Sequence, residues 1–136
     1  MAAPTTRAAA RAVTCVKHDR NAKGIGLPEI RGTSTSPHVS LWALSFAGYP
    51  GPPRREDKIV WRMTVTRPGP VTFSATGPDG RRIGPAWGPE LHGGSNWNRP
   101  GTEWGTAFRF PSPGCWTVHV KHGSQVAEAG VLVGHG

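Results

Sequence analysis

The chain has 136 residues, of which 19 are Gly and 14 are Pro, close to a quarter of the total, a composition that excludes a helical bundle. Six Trp, four Phe and 36% apolar residues supply the core that a disordered chain lacks, so the class is one compact, turn-rich domain. The net charge is +8, and no apolar run approaches the roughly 18 residues of a membrane span.

In chain order, Met1–Val13 is Ala-rich, carries Arg7 and Arg11 and contains no acid. Those arginines interrupt its apolar run, so it does not read as a complete export signal. Half of the net charge sits in residues 1–31, where Arg7, Arg11, Lys17, Arg20, Lys23 and Arg31 face only Asp19 and Glu29. Elsewhere the basic residues are scattered singly, apart from Arg54-Arg55 and Arg81-Arg82, which is the pattern of a solvated surface rather than of a nucleic-acid groove. Residues 16–38 mix Gly and Pro with charges and show no period. Residues 1–38 therefore read as an irregular basic arm, with the domain proper at 39–136.

Val39–Phe46 is apolar on both alternating sets, as in a strand covered on both sides. Lys58–Thr66 alternates, with Ile59, Trp61, Met63 and Val65 on one face and Lys58, Val60, Arg62 and Thr64 on the other. After the turn at Arg67–Pro70, Val71–Thr76 alternates again, and the two strands are expected to form a hairpin. Gly77-Pro78-Asp79-Gly80 is a turn, Pro78 presetting φ and Gly80 tolerating a positive one. Gly88–Gly101 reads as a polar, glycine-rich loop. Trp104–Phe110 and Cys115–Val120 are strands, the first directing Trp104, Phe108 and Phe110 inward and the second Trp116, Val118 and Val120. Val126–Val133 closes the fold, with a bulge expected near Gly130. Short strands at about ten-residue spacing predict an all-β, immunoglobulin-like antiparallel β-sandwich. Its core is predicted to hold Trp61, Met63, Phe73, Phe108, Phe110, Trp116, Val118 and Val120.

Cys15 and Cys115 stand too far apart for a CxxC motif and have no ligand partner at zinc spacing. They are either two buried thiols or a disulfide pinning the N-terminal arm to the sheet. The disulfide is the reading carried forward, and it implies an oxidising compartment.

The series Ile59–Thr64, Trp87-Gly88-Pro89, His92–Trp97 with Arg99-Pro100-Gly101, Glu103–Thr106 and Pro113–Trp116 resembles a group of small secreted bacterial proteins, of actinobacterial type, whose function is unknown. The resemblance spans about residues 27–133. It implies an immunoglobulin-like fold, an export signal upstream and a secreted or cell-envelope location, and it supplies no activity.

The residues offer no GxSxG and no cysteine beside a base, and Glu90 and Glu103 read more readily as partners for Arg99 or backbone amides than as a hydrolase pair. No catalytic residue, cofactor or resident metal is assigned. The loop after Gly88 concentrates His92, Asn96, Trp97, Arg99 and Glu103, and indoles beside amide and guanidinium donors suit a sugar's apolar face and hydroxyl rim. Two arrangements are open. Either Trp97 is exposed and stacks on a cell-envelope polymer or glycan, or Trp97 and Trp104 fold inward as anchors of the loop. The leading expectation is a non-catalytic adhesion or weak glycan-binding module. A metal-binding or hydrolytic protein using His92, His119 and His122 is the alternative.

Overall fold

The computed structural model describes residues 14–15, 26–65, 69–93 and 95–135. The readings placed on 1–13 and 16–25, and on the middle of the turn at 66–68, lie outside them. Among the described residues nine strands form: β1 Glu29–Arg31, β2 Leu41–Ser45, β3 Glu56–Met63, β4 Val71–Thr76, β5 Arg82–Ile83, β6 Trp87–His92, β7 Thr102–Arg109, β8 Gly114–His122 and β9 Gln125–Val133. They make a five-stranded sheet, β1-β2-β3-β7-β6, and a four-stranded sheet, β5-β4-β8-β9. Every strand pairing is antiparallel. The two sheets pack face to face as a β-sandwich.

The alternation in the sequence sets which side chains meet between the sheets. Trp61 and Met63 from β3, Phe108 from β7, Phe110 just beyond it, Phe73 from β4, and Trp116, Val118 and Val120 from β8 all belong to one buried cluster. Trp61 stands 5.4 Å from Phe73, and Phe110 stands 5.4 Å from Trp116, so aromatic contacts join the two sheets. The indole N–H groups buried with them are satisfied, Trp61 Nε1 donating to Thr106 Oγ1 at 2.9 Å and Trp116 Nε1 to the Ser112 carbonyl at 2.8 Å. In the turn after β4, Gly80 adopts a φ of 89°, the left-handed conformation that residue was expected to supply. Cys15 and Cys115 form a disulfide with Cα atoms 5.8 Å apart.

Four sequence expectations are corrected. β3 and β4 do not form a hairpin. β3 has β2 and β7 on its two edges, β4 has β5 and β8, and the chain changes sheet between them. The loop expected from Gly88 begins as strand β6, which pairs with β7 and carries a bulge between Trp87 and Glu90. β9 has none at Gly130, which keeps its place opposite Thr117. The irregular arm does not run to residue 38. β1 adds to the edge of β2, Ile30 is buried in the core, and Thr33 bridges to Glu128 on β9.

Asp57 is the exception to the apolar inward row of β3, with no exposed surface. Neither carboxylate oxygen has a well-aligned hydrogen bond among the described residues; the Ala47 amide and the Ser45 hydroxyl lie near the carboxylate, and that hydroxyl donates to the Gly48 carbonyl at 2.6 Å. Burial pushes the carboxyl from 3.8 up to about 6, against the weaker pull of the Ala47 amide and Ser45. The folded state therefore holds this proton more tightly than the unfolded chain does. Its contribution is most favourable below about pH 4, falls as pH rises from about 4 to 6 by on the order of 3 kcal/mol, and is flat above. Asp57→Asn is expected to be more stable than the parent at pH 7.5 and to converge with it at pH 4 in urea unfolding. A difference independent of pH between the two proteins would refute this.

Candidate functional site

The outer face of the five-stranded sheet is built from cross-strand rows. In one row, Trp42 of β2 pairs with Arg62 of β3, Arg62 with Glu103 of β7, and Glu103 with His92 of β6. The next row runs Leu44, Val60, Gly105, Glu90. The Phe46 amide donates to the Lys58 carbonyl at 3.0 Å, and Lys58 pairs with Ala107, and Ala107 with Trp87. Phe46, Lys58, Ala107 and Trp87 therefore make a third row.

The segment after β6 folds back over the first two rows. Trp97 is only 4% exposed and packs on Trp42, Leu44 and Val60. Its Nε1 donates to Glu29 Oε2 at 2.9 Å, and Arg99 grips the same carboxylate through Nε at 2.9 Å and Nη2 at 2.6 Å. The Arg99 guanidinium also lies 5.1 Å from the centre of the Trp42 ring, a cation–π contact. Arg62 holds the other side of the segment. It donates to Glu103 Oε1 at 2.9 Å, to Ser95 Oγ at 2.8 Å, and to the carbonyls of Trp97 and Arg99. Ser95 in turn donates to Glu103 at 2.7 Å, and His92 Nδ1 stands 3.3 Å from Glu103 Oε2. Burial by itself would raise the Glu103 pKa. The hydrogen bonds from Ser95 and Arg62, the Arg62 charge and the bond with His92 outweigh it and hold the carboxyl below its ordinary value.

Of the residues expected to bind, His92, Asn96, Trp97 and Glu103 converge on the wall of one cavity of about 200 Å³, together with Leu44, Phe46, Lys58 and Val60. Arg99 does not join them, being held on Glu29. Of the two arrangements open for Trp97, the structure shows the inward one: its ring is an anchor and a wall, because Trp42, Leu44 and Val60 form an outward apolar patch that needs a cover. Trp104 also faces inward, 6.4 Å from Phe73. Comparison of the chain with protein-family models, with curated proteins and with solved structures finds no match.

The third row is left open, and sequence reasoning missed it. Phe46 is 49% exposed and Trp87 41%, with Lys58 Nζ 5.1 Å above the Phe46 ring. Between the two aromatics β7 contributes only the small Ala107 to the row, beside Lys58 of β3, and Gly105 is the next outward residue on the same strand. A Cβ on Gly105 would lie 2.9 Å from His92 Nε2 and 3.5 Å from Trp87 Cζ3, so the absent side chain admits both rings against the strand. Gly105's place in the alternation, between inward Trp104 and Thr106, is the sequence signal for this close approach of the two rings. The alternative trio does not assemble. His92 is held on Glu103, His119 pairs with Glu128 on the other sheet, and His122 lies against Trp104. Among the described residues no group of three or more His, Cys, Asp or Glu side chains is placed to hold a metal ion.

Proposed function

We propose that this β-sandwich is a non-catalytic, immunoglobulin-like module of a secreted or envelope-associated protein, and that it binds a cell-envelope glycan weakly on the open row of its five-stranded sheet. The observation that carries the reading is the pair of half-exposed aromatics, Phe46 and Trp87, at the two ends of one cross-strand row with Lys58 and Ala107 between them. Three strand spacings separate them by about 14 Å, enough to bracket a few saccharide units. Lys58, His92 and Asn96 at the adjoining cavity offer hydrogen bonds to the hydroxyl rim of a sugar whose apolar face lies on an indole. The disulfide supports an oxidising location.

Two aromatic contacts and a few polar ones give an affinity of roughly millimolar to micromolar, about 4 to 8 kcal/mol. Co-sedimentation with insoluble peptidoglycan tests the reading. Phe46→Ala combined with Trp87→Ala should reduce the bound fraction at least tenfold, while the melting temperature stays close to that of the parent because both rings are already half in water. Binding that survives the double substitution would rule the row out.

A further inference from the structure

The outer face of the four-stranded sheet carries a second, larger cleft of about 580 Å³, within the usual size of a small-ligand site. Its floor is made by outward residues of three neighbouring strands, among them Thr72 on β4, Lys121 on β8 and Glu128 on β9. One wall is the segment that contains Thr33 and Thr35. It is fastened to β9 by reciprocal backbone hydrogen bonds between Thr33 and Glu128 at 2.7 and 2.8 Å, and by the Val126 amide donating to Ser36 Oγ at 3.1 Å. The other wall is Arg82, whose Nη2 donates to Ser74 Oγ at 3.0 Å.

The charges in this cleft are unevenly used. Glu128 is engaged by His119, whose Nδ1 lies 2.9 Å from its Oε2, and the other ring nitrogen is 3.0 Å from Thr76 Oγ1. With Nδ1–H donated to the carboxylate, Nε2 accepts the Thr76 proton, and the imidazole is fixed at both ends. A hydroxyl, an imidazole and a carboxylate in series also describe an activated nucleophile. Thr76, however, is not among the residues lining the cleft, so the series orients the ring rather than presenting a hydroxyl to a bound molecule. Among the described residues Lys121 has no acidic partner, and Arg82 has only the Ser74 hydroxyl. Two exposed cations therefore face a cleft whose one acid is already paired, among the hydroxyls of Thr33, Thr35 and Thr72.

We propose that this cleft binds the anionic group of a saccharide, a phosphate or a carboxylate, between Arg82 and Lys121, with the threonine hydroxyls meeting those of the sugar. A guanidinium and an ammonium supply charge-assisted hydrogen bonds to either anion. A nucleic acid fits less well, because the aromatic ring at this cleft, Phe73, is 4% exposed and offers no face for a base. The cleft and the Phe46–Trp87 row lie on different sheets, so the two readings fail separately.

The test is amide chemical-shift titration of the intact protein with glucose 6-phosphate, glucuronate and glucose. Either or both anions should shift the amides of Thr72, His119, Lys121 and Glu128, and which of them does so identifies the anion. Glucose should bind at least tenfold more weakly. Arg82→Gln with Lys121→Gln, two exposed positions whose exchange leaves the amide spectrum dispersed, should weaken anion binding at least tenfold. Absence of shifts at these amides with both anions, equal binding of glucose, or undiminished binding by the double variant would each overturn the proposal.

Discussion

Replacing Cys15 and Cys115 with serine is expected to lower the stability of the folded protein by about 4 to 5 kcal/mol. The two cysteines are 100 residues apart in sequence, and a cross-link across so long a segment removes much of the conformational freedom of the unfolded chain. Cys115 lies opposite Leu132 in the β8–β9 ladder, on the outward set of β8 that alternates with the buried Trp116 and Val118, so the exchange leaves the core intact. The loss therefore arises mainly in the unfolded state. Against a total stability of about 5 to 15 kcal/mol for an ordinary domain, it is roughly a quarter of the whole or more. Urea unfolding of the oxidised parent and the double variant measures it directly. A loss below about 1 kcal/mol would show that the unfolded chain is already confined by other means.

Trp116→Ala should cost about 3 to 5 kcal/mol, for a reason located in the folded state. The ring is fully buried, stands 5.4 Å from Phe110 and donates its N–H to the Ser112 carbonyl. Its far edge leaves no room at Gly77, where an added Cβ would lie 2.7 Å from the indole. Truncation opens a cavity that neighbours this tightly fitted cannot collapse to fill, and it also leaves the Ser112 carbonyl without that donor. Trp116→Phe, which keeps much of the volume and loses the hydrogen bond, should fall between the parent and the alanine variant. An unchanged unfolding midpoint for Trp116→Ala would contradict the packing described for β8.

The sandwich class, the eight core residues and the pairing of the two cysteines were legible without coordinates. Alternation along Lys58–Thr66 and Cys115–Val120 reports directly which face of a strand is apolar, since side chains point to opposite faces in turn. What the alternation does not carry is the identity of a strand's neighbours. Those are joined through backbone N–H and C=O groups that all residues except proline possess in full, so Met63 and Val71 read as a hairpin although their strands lie in different sheets. β6 was hidden for a related reason: an edge strand that buries little has no apolar period, and it was found only by its pairing with β7.

The candidate site divides in the same way. Residue type drew attention to His92, Asn96, Trp97 and Glu103, and those four do meet at one cavity. The direction of Trp97 was decided by what lies across from it. Val39–Phe46 is apolar on both sets, which already required a cover on its outer side, and only the folded chain shows that Trp97 is that cover, locked by Glu29 from a strand some seventy residues earlier. Phe46 and Trp87 remain half-exposed, while the same loop is held over the first two rows by Arg62 and by Arg99 on Glu29. Local sequence thus determined which residues have apolar or polar business with their surroundings, and tertiary structure alone decided which of them that business leaves in water.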